Sequence, residues 1–152
     1  GALAVGEVRG EEAGVLYEAM RVGAASDTVI GTIHGDGYDG VRERVVADLG
    51  VPASSFAATD LLVTLKPTQA GKRVTKIEEV LADGSALLYD YDGTALEATP
   101  RLARGNSRVV ASLTSPGEQY ADTVAQIERR AKTFERSSLH TGATGAEAVV
   151  DG

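Results

Sequence analysis

Two short apolar runs, Ala2–Val5 and Thr28–Ile33, bracket a single amphipathic stretch, and this spacing constrains the fold more than any other feature of the chain. Each run is the length of a strand. Val15, Leu16, Ala19, Met20 and Val22 give the stretch between them the broad apolar face of a helix, with Glu11 and Glu12 in its first turn and Gly23 placed to end it. Two strands joined by one helix are parallel, because an antiparallel pair needs no crossover. In open α/β sheets ligands bind at the carboxyl ends of such strands. The first run is followed there by Gly6-Glu7-Val8-Arg9 and the second by His34, so Glu7 and His34 are the candidate catalytic residues. A carboxylate in that position suits the positioning or deprotonation of a water that attacks a phosphoryl group. The plainer reading pairs Glu7 with Arg9 and lets His34 cap its strand.

The order of these residues narrows the choice. Gly6-Glu7-Val8-Arg9-Gly10-Glu11-Glu12, an Ala-containing helix, then Gly31-Thr32-Ile33-His34-Gly35 resembles the type II/IV secretion ATPase superfamily, the hexameric motors of secretion, type IV pili and the archaellum. The resemblance covers about the first 65 residues. It implies that Glu7 is the Walker B catalytic glutamate, that Gly6 and Arg9 belong to the same motif, and that Glu12 is the acid that often follows. It also implies that Thr32 and His34 form the His box. Where the family commonly has Thr-Gly-His after the crossover helix, this chain has Val22-Gly23-Ala24-Ala25, which leaves that turn without its usual polar groups.

The implied fold class is α/β, the C-terminal portion of a RecA-like P-loop NTPase core followed by an antiparallel β-meander and C-terminal helices. The expected organisation is one domain over 1–152, with a Walker B and His-box core at 1–66, a meander at 67–104 and a helical tail at 105–152. ATP and Mg²⁺ are the implied ligands, with Mg²⁺ touching Glu7 only through water and no metal ligated directly by this chain. The implied partners are a homo-hexamer containing the chain's own missing N-terminal half, and a membrane platform protein. The implied location is the cytoplasmic face of the membrane.

A P-loop requires Gly-x-x-x-x-Gly-Lys-(Ser/Thr). The one Gly-Lys pair, Gly71-Lys72, is followed by Arg73, and position 66 is Lys. The expectation is therefore a C-terminal fragment of a motor, cut before Walker B and inactive alone. A degenerate relative that serves as a non-catalytic interaction or regulatory module is the alternative. A hydrolase with His34 as base would need a nucleophile motif such as Gly-x-Ser-x-Gly, and the chain has none.

Composition sets the remaining bounds. With 43% hydrophobic residues but only 5% aromatics, the core must rest on Val, Leu and Ala. The absence of cysteine excludes disulfides and thiol chemistry. A net charge of -7 argues against nucleic-acid binding, which needs clustered Lys and Arg. An acidic chain whose only lysines are Lys66, Lys72, Lys76 and Lys132 has the look of a salt-loving archaeal protein.

Further along, Gly35-Asp36-Gly37 precedes a helix expected over Tyr38–Leu49 and closed by Gly50. Arg42 and Arg44 on it are candidate trans-acting arginines if they reach a neighbour's nucleotide, with pairing to Asp39, Glu43 or Asp48 as the local alternative. Asp36 and Asp39 lack the spacing of a calcium loop. Strands are expected at Leu61–Leu65, Arg73–Leu81, Ala86–Tyr91 and Thr94–Thr99, with Lys66–Gly71 as a turn and Asp83-Gly84 and Asp92-Gly93 as hairpin signals. The meander is expected to continue the parallel sheet. In the tail, Asn106 is a candidate cap for a helix ending at Leu113, and Ser115–Glu118 and Thr144–Glu147 have the form of capping boxes. Tyr120, Val124, Ile127, Ala131 and Phe134 form a stripe expected to dock on the chain's own domain, and His140 is expected in a turn.

Overall fold

The computed structural model describes residues 2–23 and 28–142, with the side chains of the final helix described through Ser137. It is a mixed α/β structure with a two-stranded parallel sheet, a four-stranded antiparallel sheet and helices. The chain divides into two compact units, Gly1–Val109 and Val110–Gly152.

Strand β1 (Ala2–Val5) and strand β2 (Thr28–Gly31) pair in parallel, from Ala2 opposite Thr28 to Val5 opposite Gly31. Helix α1 (Glu12–Gly23) is the crossover and ends at the expected glycine. The ladder outlasts the strands: the Val8 amide donates to the Thr32 carbonyl at 2.8 Å, and the Thr32 hydroxyl donates to the Gly6 carbonyl. Ile33, expected as the last residue of β2, lies beyond it for this reason. The bond at Thr32 goes to the loop after β1 rather than to β1 itself.

The expected helix over Tyr38–Leu49 forms, but in two windings. Helix α2 (Gly37–Arg42) runs directly into a π-helical stretch, Glu43–Asp48, in which the Leu49 amide reaches back five residues to the Arg44 carbonyl. Gly50, at φ +72°, closes it as expected. A short helix α3 (Ala53–Phe56) follows. Val8, Leu16, Tyr17, Val41, Val45 and Phe56 form the core of this half, and the Phe56 ring sits 5.7 Å from Tyr17 and 5.8 Å from Tyr38. Burying one such ring stabilises the fold by roughly 1.5–3 kcal/mol, which explains how so few aromatics suffice. Gly35 is required by close packing, since a Cβ there would lie 2.7 Å from Val41 Cγ2 and 3.1 Å from the Val41 backbone nitrogen.

The meander is present, as strands β3 (Leu61–Thr68), β4 (Gly71–Leu81), β5 (Gly84–Tyr91) and β6 (Leu96–Ala98) in sequential antiparallel order. Two expectations need correcting. The meander forms its own sheet instead of extending the parallel one, because β3 pairs with β4 and not with β1 or β2. The expected boundary at 66/67 therefore falls inside β3. Lys66, Pro67 and Thr68 are strand residues, and only Gln69-Ala70 make the turn. Pro67 is tolerated because β3 is an edge strand, where a missing amide costs no ladder bond.

Helix α4 (Pro100–Ala103) and helix α5 (Arg108–Leu113) follow. Residues 105–109, expected with the tail, go with the sheet-containing unit. Helix α6 (Tyr120–Gly142) does not start at the Ser115–Glu118 sequence, which is a turn with Gly117 at φ +86°. Its start is marked instead by Asp122, whose carboxylate accepts the Gln119 amide at 2.9 Å. Tyr120, Val124 and Ile127 are half-buried, whereas Ala131 and Phe134 are exposed, so only the first half of the expected stripe is covered. His140 lies within α6 rather than in a turn. The Thr144–Glu147 sequence lies outside the described residues, as do Ala24 and Ala25. No described helix is long and apolar enough to cross a membrane.

Candidate functional site

The loops leaving β1 and β2 run side by side, fixed by the Val8–Thr32 and Thr32–Gly6 bonds, and this brings Glu7 and His34 together. Glu7 Oε1 lies 2.9 Å from His34 Nε2, and Glu7 Oε2 lies 2.6 Å from Arg9 Nη2. Oε1 is shielded from solvent and lacks a well-aligned hydrogen bond, although the His34 ring nitrogen lies close beside it. The two carboxylate oxygens thus face different partners, Oε2 the Arg9 guanidinium and Oε1 the His34 imidazole. His34 itself is 89% exposed at its side chain and open to an incoming group.

Arg9 acts first on the Glu7 carboxyl. Its hydrogen bond lowers the carboxyl below the usual range, against a rise from desolvation and with smaller help from the Arg9 charge and from His34. An Arg9→Gln change removes the main cause, so the Glu7 carboxyl should titrate at higher pH than in the parent. Carboxyl-carbon NMR across an acid titration checks this, and an unmoved Glu7 would show that the pair does not persist in solution.

The other sequence candidates separate. Gly6 supplies the carbonyl that Thr32 binds, so both residues hold the loops in place. Glu12 turns back onto the loop: its Oε1 accepts the Arg9 amide at 2.6 Å and the Gly10 amide at 3.0 Å. These amides, the Arg9 one foremost, hold its carboxyl below the ordinary range. Glu12 thus shapes the Gly6–Arg9 loop and is spent on backbone. Arg44 pairs locally with Asp48 at 3.6 Å, and Arg42 is exposed with no ion pair among the described residues. Neither pairs with Glu7 or His34. Asp36, two residues past His34, is held by Lys66 Nζ at 2.8 Å. Among the described residues no group of three or more His, Cys, Asp or Glu side chains is arranged to hold a metal ion.

Glu78 and Glu79, which fall in the strand expected over Arg73–Leu81 and in an Ile-Glu-Glu-Val phrase similar to the family's segment after its core sheet, carry roles that the sequence did not show. Consecutive strand residues face opposite sides of a sheet. Glu78 Oε1 accepts the Tyr38 amide at the start of α2, at 3.1 Å, and its Oε2 accepts the Ser85 hydroxyl at 3.1 Å. Glu79 is fully buried. It accepts Arg101 Nε at 2.6 Å, the Ser107 hydroxyl at 2.9 Å, and the Val109 and Arg108 amides at 3.1 and 3.4 Å. One strand thus supplies the carboxylates that start two helices. The signal was two adjacent acids inside an apolar run, Ile77-Glu78-Glu79-Val80, where a buried acid needs partners.

Comparison with models of known protein families and with curated proteins finds no match to this chain.

Proposed function

We propose that the chain supplies the Walker B and His-box residues of a RecA-like ATPase, the kind of hexameric motor that drives protein secretion or the assembly of type IV pili or archaella. The observation that supports this most is the meeting of Glu7 and His34, 2.9 Å apart, just past the carboxyl ends of adjacent parallel strands. The reading gives each group a distinct task. The Glu7 carboxylate, just past the strand ends and 30% exposed at its side chain, is suited to position a water and take its proton. Arg9 restrains Oε2 and so fixes the carboxylate's plane. His34, exposed, reaches the γ-phosphate. Mg²⁺ belongs with the nucleotide, where phosphates and a P-loop hydroxyl hold it.

On this reading the active unit is a homo-hexamer that includes a P-loop supplied by sequence beyond this chain. It works at the cytoplasmic face of the membrane against a platform protein. The test is to read the frame upstream of Gly1 and express the longer product. A Gly-x-x-x-x-Gly-Lys-(Ser/Thr) there, with ATP hydrolysis by the product, is the expected result. A start codon directly before Gly1 with no P-loop overturns the reading and leaves an interaction module.

A further inference from the structure

We propose that the free edge of β3 is a self-association surface, on which a second copy of this chain adds its own β3 antiparallel about a twofold axis at Val63.

The backbone directions of β3 set the geometry. The Asp60 carbonyl accepts the Val80 amide at 3.0 Å, and the Thr64 carbonyl accepts the Thr75 hydroxyl at 3.4 Å. Even-numbered residues therefore turn their peptide groups toward β4, and Leu61, Val63 and Leu65 turn theirs outward. Among the described residues no further strand pairs with β3 beyond β4. Leu61, Val63 and Leu65 also share one face of the sheet, and they are 40%, 50% and 54% exposed. An edge with outward peptide groups and an apolar row is a template for strand addition.

The sequence of this edge fits a reversed copy of itself. With Val63 opposite Val63 of the second copy, Leu61 faces Leu65 and Leu65 faces Leu61, so the exposed row is apolar against apolar. On the other face, Asp60 falls opposite Lys66 and Lys66 opposite Asp60. Both side chains are solvent-accessible, and although Asp60 lies 3.7 Å from Arg108 and Lys66 2.8 Å from Asp36 within their own chain, opposite charges still face each other at both ends of the pairing. Because a twofold interface is isologous, each favourable pair occurs twice. Pro67 sets the limit of the pairing, since its position faces outward and it has no amide to donate. A shift of one residue would place Leu61 opposite Thr64 or Lys66 and would set outward-turned peptide groups against inward-turned ones, which favours the Val63 register.

The test uses the whole chain. Sedimentation across micromolar to millimolar concentration should show a reversible monomer–dimer equilibrium. Val63→Lys puts two like charges together on the axis and should abolish the dimer, with the fold verified by circular dichroism. Asp60→Lys alone should weaken association, and Asp60→Lys with Lys66→Asp should recover it. The chain has no cysteine, so Val63→Cys gives an independent readout. Directly opposed residues of a hydrogen-bonded antiparallel pair lie about 5.5 Å apart at Cα, within disulfide reach. Oxidised Val63→Cys should become a covalent dimer, whereas Leu61→Cys, displaced by four residues from its own copy, should not. A chain that stays monomeric and uncrosslinked at millimolar concentration overturns the proposal. So does a dimer that survives Val63→Lys, or one that crosslinks equally well through Leu61→Cys.

Discussion

Replacing Glu79 by Ala should lower the unfolding free energy by about 3 kcal/mol, the low end of the cost of breaking a buried ion pair, because Glu79 is buried but Arg101 is 33% exposed. For a chain of this size that is a fall in Tm of roughly 6–12 °C. The loss is large because four groups depend on this one carboxylate. Without it, Arg101 is left uncompensated and the Val109 and Arg108 amides lose their acceptor at the start of α5. Urea unfolding of the parent and the variant measures it. A loss under 1 kcal/mol would mean that water replaces the carboxylate easily and that the cluster is unimportant.

The same group gives a pH dependence. Burial pushes the Glu79 carboxyl up, but Arg101, the Val109 amide, Ser107 and the Arg108 amide together outweigh it, and the net direction is down. A carboxyl whose folded value lies below its unfolded value contributes stability that is present above the unfolded value. That stability is lost as pH falls through the folded value. The parent should therefore lose stability on acidification more steeply than Glu79→Ala does.

The second large effect concerns chemistry and rests on the proposed ATPase reading. In the P-loop-containing protein, Glu7→Gln should leave nucleotide binding nearly intact while slowing hydrolysis by roughly 10²–10⁴-fold, the range for a lost general base. The amide keeps the size of the side chain and removes its capacity to take a proton. Single-turnover hydrolysis beside a nucleotide-binding titration separates the two effects. Hydrolysis within tenfold of the parent would remove Glu7 from the role proposed for it, whatever else the protein does.

Local patterns carried most of what was legible in the sequence. The helix closed by Gly50 and the Asp-Gly hairpins are set by residues close together in the chain, the parallel pair by two apolar runs that bracket one helical stretch, and each formed. The meeting of Glu7 and His34 was also legible, because parallel strands of similar length must release their loops at the same edge. What was not legible depended on partners distant in sequence. Whether β3 joins the first sheet or the second is decided by pairing with β4, and Leu61–Leu65 reads as an apolar strand in either case. The Glu79 cluster joins residues 22–30 positions apart, and nothing near Ile77-Glu78-Glu79-Val80 names them. The local role of Glu12 was not legible either, because the Arg9 and Gly10 amides that it accepts are placed only by the fold of the loop.

The two sheets also differ in how far the chain must travel to build them. Each long hairpin of the meander closes through a two-residue turn, whereas the four rungs of the parallel pair join segments 26 positions apart. Closing the longer loop costs more chain entropy before any contact repays it. Hairpin pairing is therefore expected to precede the parallel pairing as the chain folds. Glu7 and His34 sit just past that short ladder, so their geometry is expected to form late and to be surrendered early when the structure opens locally, an order that hydrogen exchange at the Val8 amide against the β4 amides would read.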